Sequence, residues 1–395
     1  MSGRNDGARS GPDEKRSLPS KKPRAVTLDV SSAPPSAQLD ERILAFIDRA
    51  DANEAAFDRL ARDVFAYQYA ENPAYRRYCR FFDRRPSDVR HWWEIPAVPT
   101  TAFASIRLAC FPRGRTRLRF VSSGTTRATR SQHELESASL YDAALLSHFK
   151  RSVLPDAERM QMIVLSPPHS EAPHSSLAYM LSKISQRFGT LHDGFFVRND
   201  ALDVEGAVRA LQQATAPVLV AGTAFAFVHF FDRCAADGTR FAPPLGSRVI
   251  ETGGIKGKSR EVARDELYEW FTRYLGVARD MCASEYGMCE LGSQWYDANL
   301  ADCLAGRSPR RNLKVGAPWT RTLVVDPVST APVPDGERGL LQVFDLSNRG
   351  SVAAILTGDL ARCVAGGFEL LGRAPGEPPK GCSAAIDAAL SGRGD

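Results

Sequence analysis

The chain has 395 residues, 43% of them hydrophobic and 25% charged, with a formal net charge of +5, ordinary for a globular protein of two or three lobes. No apolar run approaches the roughly 20 residues of a bilayer-spanning helix, and the opening "MSGRNDGARSGPDEKRSLPSKKPR" has no apolar core of a secretory signal. Eight cysteines, at 79, 110, 234, 282, 289, 303, 363 and 382, form no C-x-x-C pair, which argues against a zinc ribbon or a disulfide framework and fits a reducing cytoplasm.

Residues 1–38 hold seven Lys/Arg and four Asp/Glu, are rich in Ser, Pro and Gly, and contain no aromatic residue. This reads as a disordered basic tail that keeps the chain in solution. The remaining charge is nearly balanced, so no nucleic-acid face is expected. Residues 39–73 keep apolar positions at three- and four-residue spacing and read as helix. "HWWEIPAVPTTAFAS" is Pro-broken and extended, with Trp92 and Trp93 expected at the surface.

From residue 139 a regular alternation sets in. "SLYDAALLSHFKRSVL" reads as helix, "QMIVLSP" as strand, "HSSLAYMLSKISQRFG" as helix and "APVLVAGT" as strand. "AFAFVHFFDRCAADG", "SRVIETGG", "REVARDELYEWFTRYLG" and "RDMCASEYG" continue it, which predicts βαβ units around a parallel sheet. Beyond 316, "TRTLVVDP", "GLLQVFDLS", "VAAILTGD" and "FELLGR" are short strands joined by turns such as Pro-Asp-Gly. The expected organisation is a tail (1–38), an α/β body (39–315), a β-rich subdomain (316–373) and a short C-terminal tail (374–395).

Several familiar sites are absent. No G-x-S-x-G elbow occurs, and "GMCELG" is one residue too long for its cysteine version. "GGIKGKS" has three residues where a P-loop needs four between its glycines, so it cannot wrap a phosphate in the same way. His169 and His174 are five apart across a proline, the wrong spacing for a helical metal pair.

What remains is a series of short elements: "SSGTTRATR" at 122–130, "ETGG" at 251–254, "EYGMCELG" at 285–292, "TGD" at 357–359 and "GR" at 372–373. The first crowds hydroxyls, a glycine and two arginines into one loop, the chemistry of an anion cradle. In this order the set resembles the core signatures of the acyl-adenylate-forming enzymes: acyl-CoA synthetases, luciferases and peptide-synthetase adenylation domains. With "IPAVPTTAF", "HELESASLYDAAL", "PHSSLAYML", "GTAFAFVH", "ETGGIKGKSRE", "NRGSVAAILTGDL" and "GRAPG" added, it resembles a LuxE-type acyl-protein synthetase over residues 92–385. That family comprises long-chain-fatty-acid–protein ligases of bacterial aldehyde-forming reductases.

The resemblance implies the large α/β domain of an adenylate-forming enzyme, with βαβ layers, a β-rich C-terminal subdomain, and ATP and Mg²⁺ as cofactors. It places the β- and γ-phosphates of ATP in the loop of Ser122, Ser123, Gly124, Thr125 and Thr126, with Arg130 standing where the family has lysine. Arg127 replaces a family glycine there. Glu290 corresponds to the magnesium acid, and Gly253, Gly254, Tyr286 and Gly287 to the adenine site. Asp359 corresponds to the ribose carboxylate, Arg373 to the hinge arginine, and His174 to the region bordering the acyl carboxylate. Cys289 stands where threonine is usual. Phe225, Phe227, Phe230 and Phe231 are expected in the core or along an acyl tunnel.

Only 22 residues follow Arg373, so the family's C-terminal lid is expected to be truncated or absent, and its lysine has no assigned counterpart. Cys382 is the sole cysteine beyond Arg373 and corresponds to the acylated C-terminal cysteine of LuxE-type synthetases. The expected function is therefore ATP-dependent activation of a carboxylic acid, with fatty acids favoured, and transfer to a protein thiol that feeds an acyl reductase subunit. Two rivals are an acyl- or aryl-CoA ligase using free CoA, and a non-catalytic nucleotide- or acyl-binding partner that regulates a reductase.

Overall fold

The computed structural model describes residues 35–50, 53–122, 130–191, 193–253 and 262–374. Helix α1 (Pro35–Arg49) takes in the last residues of the segment assigned to the tail, and α2 (Glu54–Glu71) and α3 (Pro73–Phe81) follow. The stretch 39–73 expected as helix is thus two helices, with α3 starting where it ends. Asn53 caps α2 by accepting from the Ala56 N–H. Asn72 closes α2 and caps α3 by accepting from the Tyr75 N–H, with Pro73 pre-set for the first turn.

Strand β1 (Val98–Pro99) and helix α4 (Ala102–Ser105) lead to a hairpin of β2 (Leu118–Val121) and β3 (Gln132–Leu135). Then come α5 (Ser139–Ser152), β4 (Gln161–Leu165), α6 (Ser176–Phe188), the short pair β5 (Val197–Arg198) and β6 (Ala201–Leu202), α7 (Val204–Gln212), β7 (Val218–Thr223), α8 (Ala224–Asp237) and β8 (Arg248–Thr252). Helix α9 (Arg264–Trp270) is shorter than its periodicity predicts, because it widens into a π-type turn over Phe271–Leu275. Strands β9 (Cys282–Tyr286) and β10 (Trp295–Asp297), α10 (Ala298–Leu304), and strands β11 (Leu313–Val315), β12 (Thr320–Val325), β13 (Gly339–Asp345), β14 (Ala354–Val364) and β15 (Gly367–Arg373) complete the order.

One sheet unites most of these strands, in the order β12-β13-β14-β15-β11-β10-β9-β8-β7-β4 with β1 beside β14. The run β4, β7, β8, β9 is parallel and everything from β10 to β12 is antiparallel. Strands β4 and β7 are buried nearly throughout and read as unbroken apolar runs, whereas β8 and β9 carry the buried polar residues Arg248, Glu251 and Glu285. Alternate residues serve opposite layers: Ile163, Val220 and Val249 face α7, α8 and α9, while Met162, Leu219 and Ile250 face α5 and α6. Phe227, Phe230 and Phe231 lie in the former layer against Phe241 and Phe271, so they are core residues; Phe225 is half-buried beside His229.

Helices α1–α3 cover the antiparallel region. Trp92 is a correction to the sequence reading. It is buried, edge-on to Phe57, and its indole N–H donates to Glu54 at 2.9 Å; only Trp93 is exposed. β11 joins β15 directly, so the sheet runs on across residue 316.

Candidate active site

In open parallel sheets, ligands bind beyond the carboxyl ends of the strands, and Gly253 and Tyr286 lie at such ends, after β8 and on β9. β8 ends on Thr252 beside Glu285 of β9. Gly253 follows with φ of +75° and open space around its α-carbon, a left-handed position suited to glycine that leaves backbone bare for a flat ligand. Tyr286 closes β9. Its ring packs edge-on against Phe368 (5.7 Å) and Trp295 (6.2 Å), and its hydroxyl donates to Asp359 Oδ2 at 2.9 Å. Burial, followed by the Asp359 charge, pushes the Tyr286 phenol well above its usual range, so it remains a donor.

Asp359 lies on β14 opposite Arg373 of β15, whose Nε is 3.4 Å from Asp359 Oδ1. The Asp359 N–H donates to Thr357 Oγ1, fixing the carboxylate at the strand bend.

The candidate phosphate loop is the connection of the β2–β3 hairpin. Its neck is closed by two bonds, Ser122 N–H to Ser131 O and Ser131 N–H to Ser122 Oγ, both 3.0 Å. Arg130, the last residue of the loop before that neck, is exposed. Ser123, Gly124, Thr125, Thr126 and Arg127 lie outside the described residues, as do Gly254, Lys380 and Cys382 and with them the lid question.

His174 sits beside the same hairpin. Val121 donates to the His174 carbonyl at 2.9 Å, and the His174 ring donates to Arg119 O at 3.2 Å. The cap of α6 is Ser175, so His174 is free of that duty.

Glu290 is buried, and its carboxylate accepts from the Cys289 thiol at 3.1 Å. Among the described residues no lysine or arginine pairs with it. A buried carboxylate without a cation is costly, and a hard oxygen donor completed by water and phosphate oxygens is the usual environment of Mg²⁺. Glu290 therefore fits the magnesium role.

Two residues that sequence reasoning passed over hold this turn. His133 Nδ1 of β3 donates to the Cys289 carbonyl at 2.8 Å, and Asn348 Nδ2 donates to the Glu290 carbonyl at 2.7 Å. Burial lowers His133 to about 4, so its ring is neutral. Its Nε2 and the Asn348 Oδ1 are buried with no hydrogen-bond partner among the described residues. Asn348 is itself held by Gln68 of α2, which donates to the carbonyls of Asn348 and Arg349. Asp345 grips the next residues through Gly292 N–H and Ser293 Oγ.

Under the site lies a buried ionic cluster. Glu285 accepts from Thr252 Oγ1, and Gly287 leaves room for its curled side chain. Burial raises Glu285 to about 7 and also raises Glu251. Lys314 donates to Ser284 O at 2.7 Å and pairs with Asp297 at 3.0 Å.

The fold is that of the large domain of adenylate-forming ligases. The fold matches the open crystal structure of a 2-hydroxyisobutyryl-CoA ligase in complex with 2-HIB-AMP and CoA, with a TM-score of 0.59 at 15% identity over 86% of this chain and 70% of that one. Residues 33–391 match the family described as acyl-protein synthetase, LuxE, and the chain belongs to that family: it is a ligase that activates a carboxylic acid with ATP and transfers the acyl group. It is 24% identical to a long-chain-fatty-acid–luciferin-component ligase of Aliivibrio fischeri over 77% of this chain and 78% of the relative. A Vibrio harveyi ligase of the same name is 22% identical over 85% and 89%.

Proposed function

We propose that the chain joins a fatty acid to ATP through the site described above, and that a C-terminal thiol then receives the acyl group for an acyl reductase. A carboxylate oxygen attacks the α-phosphorus, pyrophosphate leaves, and an acyl-adenylate remains. A thiolate then attacks the acyl carbonyl and AMP leaves with the bonding electrons. The observation that carries this reading is the His133–Cys289 bond, because it sets the exit of the hairpin loop beside Glu290.

In this reading the loop hydroxyls and Arg130 hold the β- and γ-phosphates. Arg130 presents a fork of donors to phosphate oxygens without losing its charge. Gly253, Gly254, Tyr286 and Gly287 bound the adenine, and Asp359 accepts from the ribose with Arg373 beside it. His174 borders the acyl carboxylate. Glu290 would hold Mg²⁺, which neutralises charge on the phosphates when bound.

The fatty-acid preference follows the names of the relatives, which are ligases of long-chain fatty acids and a luciferin component, and the reductase partner follows the resemblance to LuxE-type synthetases. Free cysteines and the absence, among the described residues, of any helix long and apolar enough to cross a membrane accord with a cytoplasmic site of action. Carboxylate-dependent ATP–pyrophosphate exchange across a chain-length series tests the proposal. Exchange peaking with long-chain acids is expected; no exchange with any acid would leave a nucleotide- or acyl-binding partner, and transfer to free CoA alone would make the chain a CoA ligase.

A further inference from the structure

One surface feature has no part in the site. Phe81, Phe82 and Trp93 are 55%, 46% and 43% exposed, and they are the exposed phenylalanine and tryptophan side chains among the described residues. They sit on two neighbouring turns. The first follows α3, where Asp83 takes a positive φ of 49° and Arg84 N–H reaches back to Cys79 O, so Phe81 and Phe82 project as an edge-to-face pair. The second carries Trp93, stacked on His91 at 4.3 Å. Tyr75 and Tyr78 donate to the carbonyls of Pro96 and Ala97, locking α3 to the second turn's exit. Glu94 on that turn feels the charge of Arg84 on the first.

Around these rings stand Arg80, Arg84, Arg85 and Arg90, all exposed. Three acids stand on the same turns: Asp88 accepts from the Arg85 N–H and Glu94 from the N–H groups of Arg90 and His91, and Asp83 is exposed, so the four arginines outnumber the carboxylates by one. None of the four guanidinium groups forms an ion pair with a carboxylate among the described residues. Bulky rings projecting from turns, ringed by arginines without acidic partners, match the chemistry of a protein lying on an anionic bilayer. An acidic protein partner would supply charge, but it would need to receive both the Phe81–Phe82 pair and the Trp93 ring.

We propose that the Phe81–Trp93 surface docks on anionic phospholipid, with the three rings at headgroup depth and the arginines on phosphate. Docking would bring the enzyme to the phase where a long-chain acid resides, and this purpose rests on the function proposed above. The surface is also tied to the site: β1, just beyond Ala97, pairs with β14, the strand that carries Asp359.

The test is co-sedimentation of the full chain with vesicles of phosphatidylcholine alone and of phosphatidylcholine mixed with phosphatidylglycerol, at low and high salt. Binding should require phosphatidylglycerol and weaken with salt. Arg84→Gln with Arg85→Gln should lower partitioning on the order of thirtyfold, about fivefold per arginine. Phe81→Ser with Phe82→Ser should lower it by roughly tenfold or more, because two apolar rings no longer enter the headgroup boundary. Both variants should keep pyrophosphate exchange with a short soluble acid, and the serine pair should lose only the small part of the melting temperature that the Phe82–Tyr78 ring contact supplies. Absence of phosphatidylglycerol-dependent binding, equal binding to both vesicles, or wild-type binding by both variants overturns the proposal; the last result would move the contact elsewhere in the chain. Vesicle binding without exchange activity would instead strike the proposed function and leave this surface standing.

Discussion

Glu290 and Glu285 are both buried carboxyls, and their surroundings give them opposite tasks. Glu290 has the Cys289 thiol as its side-chain partner and no cation among the described residues. Replacing it with glutamine removes an uncompensated charge, so Glu290→Gln should be at least as heat-stable as wild type. It should nonetheless lose carboxylate-dependent exchange by roughly a hundredfold or more, since a preorganised charge at a reacting phosphate is worth several kcal/mol. Exchange at the wild-type rate at every magnesium concentration would remove Glu290 from the site.

Glu285 holds its proton more tightly in the folded chain, at about 7 against an ordinary 4.5, chiefly because of burial. The native state therefore binds more protons than the unfolded state between those values. Its stabilising contribution is complete below the unfolded value and is lost as pH rises through the folded one. Melting temperature should fall by a few degrees from about pH 4.5 to pH 7, and Glu285→Gln should flatten that fall. An unchanged slope in the variant would place the titration on another group.

At the scale of elements, the β2–β3 hairpin and the turn carrying Glu290 behave as one unit, joined by His133 and braced from the other side by Asn348. Removing either side chain leaves a buried carbonyl unsatisfied, at a cost of about 1–3 kcal/mol. His133→Ala and Asn348→Ala should each lower stability by about that amount and raise the magnesium concentration needed for half-maximal exchange. A loss of stability with an unchanged magnesium requirement would make them structural supports only. Arg130 belongs to the same unit: Arg130→Ala should weaken ATP use roughly ten- to a hundredfold, and more than Arg130→Lys does, as expected for a charge-assisted bond.

The contrast between these elements explains what could be read in advance. The parallel strands β4 and β7 were legible because a strand buried on both faces needs an apolar residue at nearly every position, as in "MIVL" and "VLVAG". β10 and β11 were not, because each is three residues long and carries a buried charge, Asp297 and Lys314, that is tolerable only once the two meet. His133 was equally silent. Its significance is a carbonyl 156 residues away, and local periodicity carries no trace of such a partner. Asp359 and Tyr286 were found through motif order, yet the hydrogen bond that joins them appears only in the fold.

For the whole molecule, the open question is which thiol takes the acyl group. A nucleophilic cysteine must be accessible and must ionise near neutral pH. Burial pushes Cys79 and Cys110 up to about 12 and Cys234 to about 11, and raises Cys282, Cys289 and Cys363 as well. Five of these are buried and Cys363 is half-buried. Cys303 is exposed, at the end of α10. The remaining cysteine is Cys382, nine residues beyond Arg373 in "GEPPKGCSAAID", with Lys380 two residues before it. A neighbouring ammonium favours the thiolate, and a connector rich in Pro and Gly sets the sulfur apart from the sheet in sequence. Incubation with ATP, Mg²⁺ and a long-chain acid should therefore leave a hydroxylamine-labile acyl group on the C-terminal peptide. Cys382→Ser should keep pyrophosphate exchange within about twofold of wild type and abolish the label, because adenylate formation precedes the thiol step. Cys303→Ser should leave both unchanged. Label that persists in Cys382→Ser and disappears in Cys303→Ser would move the acceptor to α10, and label found only on added CoA would show that the chain acylates a free thiol.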